Sequence, residues 1–174
     1  DIIALHGIYS WISSANRRHI VSFIKQKLRP GGLVYISYNT LPGWAPVMPL
    51  RRLMVDEAGL RSGPIAPRVN EALAFAESLK LAGAAYFNHN PTLAARFDKL
   101  KGMQREYLAH EYFNADWTPF YFSDVAVELA EAKLSFACSA QILDQIDVVN
   151  LTAEQQTLLA GIDDPVRRQV LRDF

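Results

Sequence analysis

The chain has one cysteine, Cys138, so no disulfide can close within it. That fits a reducing compartment, and a cytoplasmic location is the expectation. It also lacks an excess of charge of either sign. The 18 Lys and Arg match 18 Asp and Glu, and the formal net charge is zero. Proteins that gather nucleic acid by their field carry a basic excess, so no nucleic-acid partner is expected. No apolar run approaches the roughly 18 residues of a membrane span, so no membrane partner is expected either. No leader pattern, internal repeat or low-complexity tract is present. A His-Glu-x-x-His metal pattern is missing, because Asn114 stands where the second histidine would follow His110–Glu111. Cys138 has no partner cysteine to complete a site, and no metal is expected. A Gly-x-Ser-x-Gly hydrolase elbow is absent as well. The chain starts without Met at Asp1, on an apolar run, and stops at Phe174 after a helical segment. The expectation is a piece cut from a longer protein.

What is present centres on Leu28 to Trp44, LRPGGLVYISYNTLPGW. Pro30 ends a helix because it lacks an N–H and its ring clashes with the preceding turn. Gly31 and Gly32 permit a sharp reversal. Leu33 to Tyr38 then form a nearly continuous apolar and aromatic run, as in a strand covered on both faces. Upstream, Asp1–Leu5 reads as a short strand. Ser13, Ser14 and Asn16 are helix N-cap candidates. Ile20, Val21, Phe23, Ile24 and Leu28 fall near helical spacing, with Arg17, Arg18, Lys25 and Lys27 expected on a solvated face. Strand, helix and strand make one βαβ unit with parallel strands and a right-handed crossover.

Downstream the pattern becomes helical. Prolines 46 and 49 open a helix reaching Leu60. Val69–Leu81 is amphipathic, and a short helical turn is expected within Gly83–Pro91. Leu93–Leu108 reads as one helix weakened by Gly102. After the aromatic stretch HEYFNADWTPFY, broken by Pro119, Ser123 reads as the cap of a helix running to about Lys133. Leu134–Ala140, LSFACSA, alternates like a strand, with Cys138 as inert core. Thr152 caps another helix with Glu154 and Gln155 in its first turn, and Asp163–Pro165 begins the last. Ligands of open α/β sheets bind beyond the carboxyl ends of the strands, which directs attention to the loops after Leu5 and Tyr38.

The segments DIIALHGIYSWI and LRPGGLVYISYNTLPGW resemble the second half of a class I S-adenosylmethionine-dependent methyltransferase. Together with YLAHEYFNADWTPFYF, they are similar to bacterial methyltransferases that carry a methyltransferase regulatory domain. Some of these are rickettsial protein lysine methyltransferases. The resemblance implies an α/β fold: a partial Rossmann-like sheet with a large, mainly helical insertion. Residues 1–44 would be the carboxyl-terminal part of the catalytic core and 45–119 the helical regulatory or substrate insertion. Residues 120–146 would return to the core as helix and strand, and 147–174 would form terminal helices. The cofactor would be S-adenosylmethionine, held mainly by a glycine-rich loop and a ribose-binding carboxylate upstream of Asp1. No Gly-x-Gly follows a strand here, so the chain alone is expected not to bind the cofactor tightly.

By the same resemblance His6 and Gly7 lie beneath the methyl donor as cofactor-binding residues. His6 and Tyr9 are the catalytic candidates. Substrate-binding candidates are Trp11, Asn39, Trp44, His110, Asn114 and Trp117. Each has a plainer alternative. His6 would cap a strand end, and Tyr9 and Trp11 would be core. Asn39 would close an Asx turn, and Pro42–Trp44 would be a hinge. His110 and Asn114, one helical turn apart, would anchor the insertion. The partner would be a protein or small-molecule methyl acceptor. A non-catalytic helical module, with a homodimer face on the insertion, is the competing expectation.

Overall fold

The computed structural model describes residues 1–174. Strand β1 (Ile2–Leu5) leads through a 3-10 turn at Tyr9–Trp11 to helix α1 (Ser14–Lys27) and strand β2 (Leu33–Ile36). A second 3-10 turn, Ala45–Val47, precedes α2 (Met48–Gly59), α3 (Ile65–Leu81), α4 (Ala85–Asn88), α5 (Pro91–Lys101) and α6 (Arg105–Phe113). Then come α7 (Phe122–Ala130), a 3-10 turn at Ile142–Gln145, α8 (Asp147–Asn150), α9 (Ala153–Ala160) and α10 (Pro165–Arg172). The chain is therefore mostly helical, with one two-stranded parallel sheet. It divides into two units, Asp1–Gly43 with Thr118–Phe174, and Trp44–Trp117.

In the first unit β1 and β2 pair in parallel, from Ile2 opposite Leu33 to Leu5 opposite Ile36. The ladder continues at both ends, with Leu33 N–H donating to Asp1 and Ser37 N–H to Leu5. Helix α1 begins where the Ser13 hydroxyl accepts from Asn16 N–H. The turn into β2 needs its glycines. Gly31 has φ +80°, and a Cβ on Gly32 would lie 2.6 Å from the Leu28 side chain and 3.0 Å from the Arg29 carbonyl. The core holds Tyr9, Phe120 and Val125, with Ile36, Tyr38 and Leu129 against it.

The second unit packs α2, α3 and α6 around Leu50, Met54, Val69, Leu73, Phe97, Leu100 and Leu108, all buried. Ala58, Ala72 and Ala76 are buried too, and these small residues let α2 and α3 approach closely. Lys101 bridges Glu77 and Asp98, and Asp98 also takes Lys80 at 2.7 Å, on the outer surface.

Several expectations are corrected. The sheet has two short strands, and Tyr38 lies beyond β2. Residues 134–140 form no strand. Leu134 and Phe136 are half-buried through side-chain contact, such as Phe136 edge-on to Phe122 at 4.7 Å, and no strand pairs with the segment. Cys138 is exposed rather than core. Leu93–Leu108 is two helices, because the chain breaks at Gly102–Gln104. Helix α7 starts after Tyr121 with no side-chain cap, so Ser123 is not its N-cap. Arg17 is buried rather than solvated.

At α9 the sequence reading of Thr152 matches a full capping box with Gln155. Thr152→Ala should therefore cost about 1 kcal/mol and speed amide exchange across α9 about fivefold. Unchanged exchange would contradict the cap's role.

Candidate functional site

His6 follows β1 directly, and Gly7 turns the chain with φ +63°. Gly7 N–H donates to Ser37 Oγ at 2.7 Å, which ties the loop after β1 to the end of β2. Tyr35 and Ser37 are two residues apart in extended chain and project to one side. Both reach His6: Tyr35 Oη lies 3.1 Å and Ser37 Oγ 3.4 Å from Nδ1. The imidazole and phenol rings lie nearly parallel, 6.0 Å between centroids. His6 is exposed. Its Nε2 edge has no partner within the chain and is available to a ligand. An imidazole so placed can exchange a proton or a hydrogen bond.

Tyr9 is elsewhere in chemical terms. It is 0% exposed, and its hydroxyl donates to Glu128 Oε2 at 2.5 Å. Burial first, and then Glu128, push its phenol well above the ordinary range. Arg17 completes the cluster, with Nε 3.2 Å from Glu128 Oε2 and Nη1 donating to the Ile12 carbonyl. The guanidinium also lies 4.7 Å over the Phe120 ring. This geometry favours the core alternative for Tyr9 over a catalytic role.

Asn39 sits in a small backbone zipper. Its N–H donates to the buried Ser10 hydroxyl at 2.8 Å, and its carbonyl accepts from Phe120 N–H. Thr118 N–H donates to the Ser10 carbonyl, and Leu41 N–H to Phe120. The returning chain pairs with the segment beyond β2 through a parallel bridge, Thr40 with Phe120. Asn39 Nδ2 is buried without a hydrogen-bond partner. Trp11 is half-buried.

The second unit gathers Trp44, Tyr112 and Trp117. Trp44 meets Trp117 edge-on at 5.1 Å and Tyr112 at 5.7 Å. Arg96 covers Trp44, and Arg51 covers Trp117, each at 4.3 Å. Burial holds the Arg51 guanidinium below its ordinary value. Arg51 Nη2 donates to the Asn114 carbonyl at 2.6 Å, and Asn114 Oδ1 accepts from Asp116 N–H. Helix α6 ends at Phe113, and Asn114 is extended. His110 and Asn114 therefore share no helical face, contrary to expectation, and His110 is exposed.

A cavity of about 450 Å³ lies in the first unit beside β2, lined by Tyr38, Phe122, Phe136, Gln169 and Asp173 among others. Burial pushes the Asp173 carboxyl up. Tyr38 is pushed up from 10.0 to about 12, by burial first and then by Asp173 and Asp124. A phenol raised in the fold contributes stability that is complete below its unfolded value of 10.0 and is lost as pH rises through about 12. Tyr38→Phe should flatten the loss of stability on alkaline titration in that window, measured by circular dichroism. An unaltered alkaline profile would contradict this.

Sequence reasoning missed Tyr35 and Ser37 as partners of His6, although the period of a strand puts both on one side. It missed Ser10, Arg51, Arg96 and Glu128 too, and no local pattern marks them. No group of three His, Cys, Asp or Glu residues is placed to hold a metal ion. For an adenosyl cofactor the residues present fit only in part. The turn at His6–Gly7 offers an edge, but neither strand is followed by Gly-x-Gly or ends in a carboxylate.

Residues 104–174 match the family described as "Predicted methyltransferase regulatory domain". That match supports a methyltransferase-associated regulatory domain in this part of the chain. The chain is 53% identical over its full length to an uncharacterized protein of Synechocystis, of which it spans 34%. It is 27% identical to an uncharacterized protein of Rickettsia prowazekii, spanning 31% of it. The chain thus covers about a third of the length of these relatives. Among solved structures, PKMT2 from Rickettsia typhi in complex with AdoHcy matches the whole chain with TM-score 0.75 and 25% identity, over 33% of that protein. A second structure of PKMT2 from Rickettsia typhi matches the whole chain with TM-score 0.70 and 23% identity, over 32% of that protein, a likeness of fold. No helix is long and apolar enough to cross a membrane.

Proposed function

We propose that this chain belongs to an S-adenosylmethionine-dependent methyltransferase. It would hold the carboxyl-terminal part of a Rossmann-like catalytic core together with the regulatory domain. The observation that carries this reading is the likeness to PKMT2 in complex with AdoHcy, the demethylated form of the methyl donor. The parallel β1–α1–β2 unit agrees with it, since His6 and Gly7 stand at the carboxyl end of a strand, where ligands of such sheets bind. The cofactor supplies an electrophilic methyl group when bound. His6 and Gly7 border the methyl-transfer site, and His6 orients the acceptor by hydrogen bonding. Trp11 and Asn39 lie on the same unit and line its approach. Trp44, Asn114, Trp117 and His110 belong to the substrate-handling helical part. The acceptor is a protein lysine, by likeness to the resembled enzymes, or a small molecule.

The test is a methyl-transfer assay of the full-length protein. His6→Ala should lower kcat at least about tenfold while the circular dichroism spectrum is kept. Undiminished turnover would remove His6 from the site. The chain of residues 1–174 by itself should show no micromolar binding of S-adenosylmethionine by calorimetry, and such binding would count against a cofactor site completed elsewhere.

A further inference from the structure

We infer that Tyr35 and Ser37 set the tautomer of His6, so that it meets its ligand as a hydrogen-bond donor through Nε2–H and not as a base. This rests on the placement of the methyl-transfer site at His6 and assigns the role of that residue within it.

The argument starts at Gly7. Its N–H donates to Ser37 Oγ at 2.7 Å, so one lone pair of that oxygen is engaged. A hydroxyl that accepts a hydrogen bond becomes a better donor, and the nearest acceptor for it is His6 Nδ1 at 3.4 Å. A second hydroxyl, of Tyr35, lies 3.1 Å from the same nitrogen. A phenol oxygen is a weak acceptor and its O–H a good donor, so it too gives its hydrogen to the ring. Two donors converging on Nδ1 require a lone pair there. In the neutral imidazole the proton must then be on Nε2. The near-parallel Tyr35 ring keeps the imidazole from turning over.

The consequence concerns the substrate. Nε2–H needs an acceptor, and it would tie up the lone pair of an attacking amine. The group it meets is therefore an oxygen of the acceptor molecule, such as a peptide carbonyl or a carboxylate. The proton released by the nucleophile goes to solvent water, which reaches the exposed His6. Tyr35 and Ser37 are positioning residues acting through His6.

The experiment compares His6→Gln, His6→Asn and His6→Ala in the full-length protein. The Gln amide nitrogen reaches the place of Nε2, whereas that of Asn reaches only the place of Nδ1. The donor role predicts that Gln keeps kcat within about threefold, while Asn and Ala each lose about tenfold or more. Equal losses in all three overturn the donor role. Retained turnover in all three overturns the site at His6, and this role with it. Independently of turnover, 15N spectra of histidine-labelled protein at about pH 8, above the ordinary histidine pKa, read the tautomer directly. His6→Gln serves as the assignment control. A protonated Nε2 and bare Nδ1, with the Nδ1 resonance moved by Tyr35→Phe, is the expected pattern. A protonated Nδ1 overturns the inference even if the assay still places the site at His6.

Discussion

Phe97→Ala should lower the stability of the helical unit by about 4 kcal/mol. Phe97 is 0% exposed and lies where α5 meets the core, with its ring 5.7 Å from Phe87 and among Leu93 and Leu100. Removing the ring forfeits its transfer free energy and leaves a cavity that rigid helices only partly close. Lys101 Nζ, 5.5 Å from the ring centroid, would also lose its aromatic face, a smaller effect because the lysine keeps Glu77 and Asp98. Phe97→Leu keeps most of the volume and should cost about 1.5 kcal/mol. Urea unfolding followed by the fluorescence of Trp44 and Trp117 reports this unit. A loss below about 1 kcal/mol for alanine would mean that the site collapses freely, contrary to the packing described.

Glu128→Ala should cost the first unit about 3 kcal/mol. Two groups lose their partner at once. The Arg17 guanidinium, 10% exposed, is left with the Ile12 carbonyl and the ring faces. The Tyr9 hydroxyl, fully buried, is left without an acceptor. Because Glu128 is 34% exposed, water reaches the vacated place and holds the loss below that of a fully buried pair. Tyr9→Phe in the Glu128→Ala background should return about 1 kcal/mol, since it removes the orphaned hydroxyl. Replacing the pair with apolar residues, Arg17→Met with Glu128→Leu, should restore most of the stability. If the double replacement is as unstable as Glu128→Ala alone, the cluster acts through something other than its charges.

The contrast between these two clusters bears on what could be read in advance. The apolar spacing in α2, α3 and α5 is repeated every turn, so it pointed to buried faces. The break at Gly102–Gln104 was underestimated, because a glycine weakens a helix without dictating where the next one docks. At the candidate site, the loop after β1 was legible from its position beyond a strand. The hydroxyls that address His6 were not, since they belong to a strand whose register against β1 had to be known first.

What the sequence determined by itself is local. The Pro30–Gly31–Gly32 turn, the β1–α1–β2 order and the caps at Ser13 and Thr152 depend on groups within one or two turns of each other. The motifs carrying the family resemblance are likewise contiguous. Tertiary structure decided the rest. It put Tyr9 in the core and Arg17 under Glu128, across most of the chain length. It left Leu134–Ala140 without a paired strand despite its alternating pattern. A strand needs a neighbour and a buried charge needs a counterion, and neither partner is written beside the residue that requires it.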